Sequence, residues 1–174
     1  MDKLRIYAAI VTLYENAMRV LHWKMCGKNF AKDHTRFGDY YDELGEYMDQ
    51  TMEQMMTLGM NPVSLPMVTE ILNSADVNAI TIDPNQDYDG MTANHAALQM
   101  FTTLHELALS LATDDSLPAD VADVFMDHAR YYRIEGLYKL QRTLTQEGAH
   151  QEPAPQPAPQ EENPEVTVIV EDEE

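Results

Sequence analysis

Residues 22–53 read HWKMCGKNFAKDHTRFGDYYDELGEYMDQTME. The segment holds the end of one helical pattern, a polar break at Gly27, and most of a second helical pattern. From about Thr35 to Leu58 the apolar residues Phe37, Tyr40, Tyr41, Leu44, Tyr47, Met48, Met52 and Met55 recur at steps of three and four. That is the period of a helix burying one face. Gly59 closes the pattern and Pro62 lies beyond it, the order expected of a helix end. Asp42, Glu46, Asp49 and Glu53 fall on an adjacent face at spacings of four, three and four.

Working outward, residues 2 to 26 read as a first long helix. Leu4, Tyr7, Val11, Tyr14, Met18, Leu21 and Met25 form its stripe, and Gly27 is its stop. Residues 27 to 34 form a short polar connection. On the other side, residues 60 to 91 carry Pro62, Pro66 and Pro84 and the run DPNQDYDG, which exclude a continuous helix. A short helix fits Pro66 to Ser74. A connection of this length predicts a crossover running along a bundle. A third helix fits residues 93 to 113, with Thr92 as cap and Leu98, Phe101, Leu104, Ala108 and Leu111 inward. A fourth fits Leu117 to about Thr145, with Ser116 as cap and Pro118 in its first turn. Its expected inner face is Val121, Val124, Phe125, His128, Tyr131, Ile134, Leu137 and Tyr138. The fold class is all-α, a four-helix bundle over residues 1–146 with a long crossover between helices 2 and 3.

Residues 147–174 differ in kind. QEPAPQPAPQEENP is Pro-rich and acidic, expected to be extended, disordered and without a core. It ends in EVTVIVEDEE, a short β-prone run clamped by acid. Two readings stay open for this tail: a solubilising segment, or a docking peptide in which residues 165–174 add as a strand to a partner or shell protein.

The whole chain has 174 residues, 30 of them acidic against 11 basic, for a formal charge of −19. Such a surface repels nucleic acid and anionic membranes and attracts cations. The single Cys26 rules out an internal disulfide framework and fits a reducing compartment. Charged residues punctuate the first helical pattern, and no apolar run approaches the length of a membrane span. A soluble, cytoplasmic protein is the expectation.

The chemistry-bearing residues are His22, His34, Asp49 and Glu53. Imidazole nitrogens and carboxylate oxygens make a ligand set suited to iron, manganese or zinc. The i, i+4 relation stacks Asp49 and Glu53 one turn apart, so both can reach one ion. Each residue also has an ordinary structural role. His22 can sit at a helix C-terminus as a dipole contact, His34 can be a loop residue, and the carboxylates can be a solvated face. His95, His105 and His128 read as core or surface residues, the Met-rich run as adaptable packing, and Cys26 as a partly buried bystander.

The spacing of these four residues resembles the ferroxidase motif of the Dps family, the mini-ferritins. HWKMCGKNF is similar to the family's stretch in which His-Trp precedes a small loop with Gly and Asn-Phe. MDQTMEQMMTLGMNP is similar to its second motif, where Asp and Glu four apart lead into Leu-Gly and Pro. The resemblance implies a ferritin-like fold and an enzyme, a ferroxidase taking peroxide or oxygen as acceptor. It implies Fe2+ and Fe3+ as the bound metal and storage of ferric mineral in a homododecamer. It places His22 and His34 of one subunit opposite Asp49 and Glu53 of its partner across a two-fold interface, and makes Trp23 a candidate electron donor, with a core or interface aromatic as its other reading. Alternatives are a peroxide-consuming protector, and a Dps-like scaffold recruiting partners through its tail without turnover. DNA binding, the family's second activity, is not expected: the N-terminus offers only Lys3 and Arg5, and the tail holds nine acids and no Lys or Arg. The chain departs from the family pattern at three places. Gly38 stands where many members are acidic, Gln54 where Arg is usual, and Asp33 where an aliphatic residue precedes the second His.

Overall fold

A computed structural model describes residues 2–75, 77 and 79–149. The tail from residue 150 onward, with the docking segment 165–174, lies outside the described residues.

Helix α1 spans Asp2–Trp23 and α2 Phe30–Thr57. Helix α3, Leu65–Ser74, lies within the crossover, and α4 spans Gly90–Ala112. The last long element begins as α5, Ala119–Tyr131, passes through a π-helical segment at Tyr132–Leu140, and ends as α6, Gln141–Ala149. The expected all-α bundle with a crossover between its second and third long helices is what forms. Leu4, Tyr7, Val11, Tyr14, Met18 and Leu21 from α1, Met25 just beyond it, and Phe37, Tyr40, Leu44 and Met55 from α2 are all buried, while Tyr41, Tyr47, Met48 and Met52 of the predicted α2 stripe are partly buried. Phe101, Leu104, Ala108 and Leu111 meet them from α4.

Several boundaries differ from expectation for local reasons. Helix α1 stops at Trp23 because the next residues pair elsewhere. Met25–Cys26 (β1) and Tyr88–Asp89 (β2) form a short parallel bridge, Met25 opposite Tyr88 and Cys26 opposite Asp89. Lys24 carbonyl accepts from Tyr88 N–H at 2.9 Å, and Lys24 Nζ lies 2.7 Å from Asp87 Oδ1. The crossover is thereby tied to the turn after α1. Gly27, at φ +95°, supplies the left-handed turn that side chains disfavour. Helix α2 starts five residues earlier than expected, so His34 lies in its second turn and not in a loop. Asp89, not Thr92, caps α4, its carboxylate accepting from Thr92 N–H at 2.7 Å. Pro118, not Ser116, occupies the cap position of α5. Cys26 is exposed, correcting its reading as partly buried.

The largest correction concerns the inner face of the fourth helix. Val121, Phe125 and His128 are buried as expected, but beyond them the buried positions are Ala129, Tyr132, Gly136 and Leu140, whereas Tyr131 and Leu137 are half-buried and Ile134 and Tyr138 face solvent. A four-residue repeat drifts one way around an α-helix and the other way around the wider π-turn, so the junction of the two keeps these positions near one side. Gly136 belongs to that geometry, because a Cβ there would overlap Phe101 Cβ and Cγ.

Candidate metal half-sites and the core beneath them

His22 ends α1 and His34 opens α2, and the turn between them folds the two imidazoles face to face. Their ring centroids are 3.7 Å apart and 23° from parallel. Each ring uses Nδ1 on the other residue's backbone. His22 Nδ1–H donates to the His34 carbonyl at 2.7 Å, and His34 Nδ1–H donates to the His22 carbonyl at 2.9 Å. A carbonyl oxygen only accepts, so both Nδ1 atoms must carry hydrogen. In the neutral rings the lone pair is then left on Nε2, the arrangement by which a backbone carbonyl orients a metal-binding histidine. Both rings are half-buried. Tyr41 packs edge-on to His22 at 5.3 Å, and Phe30 stacks on His34 at 5.0 Å. Trp23 is 64% exposed, so it is no part of this chain's core.

Gly38 faces this pair. A Cβ at position 38 would sit 3.5 Å from His22 Cε1 and 3.6 Å from its Nδ1. The acidic side chain of the resembled motif is therefore missing where it would lie against His22.

Asp49 and Glu53 are exposed on α2. Fifteen positions separate His34 from Asp49 along that helix, roughly 22 Å of its axis at 1.5 Å per residue. Among the described residues no group of three or more His, Cys, Asp or Glu side chains is close enough to hold an ion. One chain thus brings together the two histidines and, separately, aligns the two carboxylates.

Asp33, the departure just before His34, is 1% exposed. Arg36 Nη1 lies 3.5 Å from its Oδ1 and donates to Asn94 Oδ1 at 3.1 Å. Among the described residues neither Asp33 oxygen accepts a hydrogen bond. Its carboxylate fills the space above Gly90, where any Cβ would overlap Oδ2. Asp33 is also in the first turn of α2, where a helix N-terminus favours negative charge.

Beneath α2 lies a polar cluster. Tyr7 Oη is 2.9 Å from His128 Nδ1 and 2.7 Å from Tyr132 Oη, and His128 Nε2 is 2.9 Å from Gln50 Oε1. Tyr7, His128 and Tyr132 are fully buried. Burial pushes His128 down to about 4 and holds Tyr7 and Tyr132 well above the usual phenol range. His128 and Tyr7 were legible as inner-face positions; Tyr132 was not, because the expected stripe placed its neighbour Tyr131 inward.

No family model matches the chain. It is 39% identical over 57 residues to the DNA protection during starvation protein of Listeria innocua, a match that takes in 33% of this chain and 35% of that protein. The aligned part is therefore about a third of the length of the curated relative. Among solved structures, Dps from Staphylococcus aureus superposes with a TM-score of 0.67 over 82% of this chain and 92% of that one, at 23% identity. The Dps protein of Vibrio cholerae O1, described as a member of a broad superfamily of ferritin-like diiron-carboxylate proteins, gives 0.69 over 82% and 87%, at 22% identity. Antigen TpF1 of Treponema pallidum gives 0.71 over 82% and 89%, at 19% identity.

Proposed function

We propose, taking as premise that this chain has the Dps form of the ferritin-like fold, that it oxidises ferrous iron and stores the ferric product. The observation that carries this reading is the reciprocal imidazole lock, which fixes His22 and His34 and leaves both Nε2 lone pairs for a metal ion. Two neutral imidazoles alone make an incomplete iron site, and hard carboxylates are what favour the ferric product. Asp49 and Glu53 supply them from a second chain, across a two-fold interface in which each contact is made twice. The subunits close into a shell, a dodecamer by resemblance. Iron is the substrate and cargo. The acceptor is peroxide or oxygen; with peroxide, two Fe2+ and one H2O2 give two Fe3+ and two hydroxide ions. The formal charge of −19 draws ferrous ions toward the assembly and deters DNA. Trp23, exposed beside His22, is the candidate electron donor. Among the described residues no helix is long and apolar enough to cross a membrane, and we assign the protein to the cytoplasm.

Peroxide-driven oxidation of Fe2+, followed by ultraviolet absorbance of the ferric product, tests this reading. Wild type is expected to exceed the protein-free rate and His34→Ala to fall to it. Equal rates for the two proteins defeat the assignment. A gel shift at low salt is expected to show no complex with duplex DNA; tight, salt-sensitive complexes would overturn that part.

A further inference from the structure

We infer that the cavity between the start of α2 and the end of the last long helix docks the chain's own acidic tail, with Glu161 and Glu162 seated against Lys32, Lys139 and Arg142. The contact is independent of the iron chemistry proposed above.

Cations are scarce in this chain and unevenly spread. Of its 11 basic residues, four line one cavity of about 530 Å³. Lys32 and Arg36 come from the first turns of α2, four apart and so on one helix face. Lys139 comes from the π-segment and Arg142 from α6. Two carboxylates, Asp39 and Glu135, share the walls, so positive charge prevails. Glu135 is already paired with Lys139, and Arg36 is held by Asp33 and Asn94. Lys32 and Arg142, both exposed, have no carboxylate partner among the described residues. They leave the cavity with charge to offer an anion.

The chain carries an anion of matching chemistry at a matching place. Residues 150–174 hold eight of its 30 acids and no Lys or Arg. They follow Ala149, the last residue of α6, so the tail leaves the bundle seven residues past Arg142. At 1.5 Å per helical residue that return is roughly 10 Å. The twelve residues from Ala149 to Glu161 can span up to about 40 Å, whereas Glu152, three residues out, has almost no slack. Glu161 and Glu162 are the first adjacent acids along the tail, and they have length enough to turn back. Tyr138, 63% exposed on the same wall, offers apolar surface to the VTVIV run that follows at residues 166–170.

A surface ion pair contributes little on its own. Tethering changes the comparison, because a short connection raises the local concentration of the tail carboxylates to the order of millimolar. The chain's own acids therefore occupy the cavity ahead of more dilute anions from solution, and the docked tail closes it to them.

Zero-length carbodiimide cross-linking of the full-length assembled protein, mapped by mass spectrometry, tests the docking, since it joins a lysine amine to a carboxylate only in contact. Lys32 and Lys139 are expected to link to Glu161 or Glu162 in preference to Lys3 and Lys24. The yield is expected to fall several-fold from about 0.05 M to about 0.5 M salt, as the screening length shortens; this comparison needs no variant. Arg142→Glu is expected to lower these links several-fold, while Arg133→Glu, on a separate basic surface beside His105, leaves them unchanged. Links spread evenly over the lysines, a yield indifferent to salt, or equal loss in both variants overturns the docking. Particles assembled from equal parts of light and heavy-nitrogen chains identify the tail's owner. Docking within one chain gives light–light and heavy–heavy links; mixed links at half the total would overturn it.

Discussion

Replacing two helical glycines by alanine is expected to move stability in opposite directions. Gly45 lies inside α2 with nothing within 4 Å of an added Cβ. Alanine there relieves the backbone-entropy cost of glycine, a gain of about 0.5–1 kcal/mol. Gly136 gains the same intrinsic term, but its Cβ would overlap Phe101 Cβ and Cγ and lie 2.8 Å from Cδ2. Those atoms are tied to the α4 backbone and cannot swing aside, since Phe101 is fully buried. With three Phe101 atoms closer than any real Cβ contact, separating the two helices falls at the upper end of the usual overpacking cost, about 2–3 kcal/mol. The net result for Gly136→Ala is a loss of about 1–2.5 kcal/mol. At roughly 2–4 °C per kcal/mol for a chain of this size, it melts about 2–10 °C lower and Gly45→Ala about 1–4 °C higher. Both are read by thermal unfolding followed by circular dichroism at one protein concentration, because assembly makes Tm concentration-dependent. A Gly136→Ala protein as stable as wild type would refute the close approach of the π-segment to Phe101.

Two further outcomes follow from the histidines. His128 titrates near 4 in the folded chain and near 6.5 unfolded, so the unfolded state binds more protons between those values. Its contribution is fully present above about pH 6.5 and is lost as pH falls toward 4, on the order of 3 kcal/mol in total. Urea midpoints from pH 7 to 4.5 are expected to fall less steeply in His128→Gln than in wild type; parallel slopes would contradict the buried neutral imidazole. For the reciprocal lock, nitrogen NMR of histidine-labelled protein above pH 7 is expected to show two rings in the Nδ1–H tautomer, assigned by His22→Gln and His34→Gln. Finding both in the Nε2–H form would remove the metal-facing lone pairs.

The helices were legible because their stripes are strong: every apolar position assigned to the inner face of α1 is buried. The crossover was legible from its prolines. What escaped were features set by contacts between distant segments. The β1–β2 bridge shortens α1, and no local signal marks a two-residue pairing with a segment sixty residues away. Along the π-segment Tyr132, Gly136 and Leu140 are buried in place of Ile134 and Tyr138, with Gly136 set against Phe101, a long-range contact that the apolar pattern does not report. In the half-sites, the residue types and the i, i+4 carboxylates were readable, but the mutual Nδ1 hydrogen bonds were not. Asp33 was visible as an oddity before His34; that it is buried over Gly90, beside Arg36, required the fold.

The central claim is that His22 and His34 of one chain work with Asp49 and Glu53 of another. Co-assembly of a His22→Ala/His34→Ala chain with an Asp49→Ala/Glu53→Ala chain tests it most directly, with ferrous oxidation as the readout and native mass spectrometry to verify mixing. Each parent alone has no complete site. In a random equal mixture half the two-fold interfaces pair unlike chains, and each of these restores one of its two sites. The account predicts that both parents are inactive and that the mixture recovers about a quarter of the wild-type rate. Verified mixed assemblies with no recovered activity, or either parent as active as wild type, would contradict it.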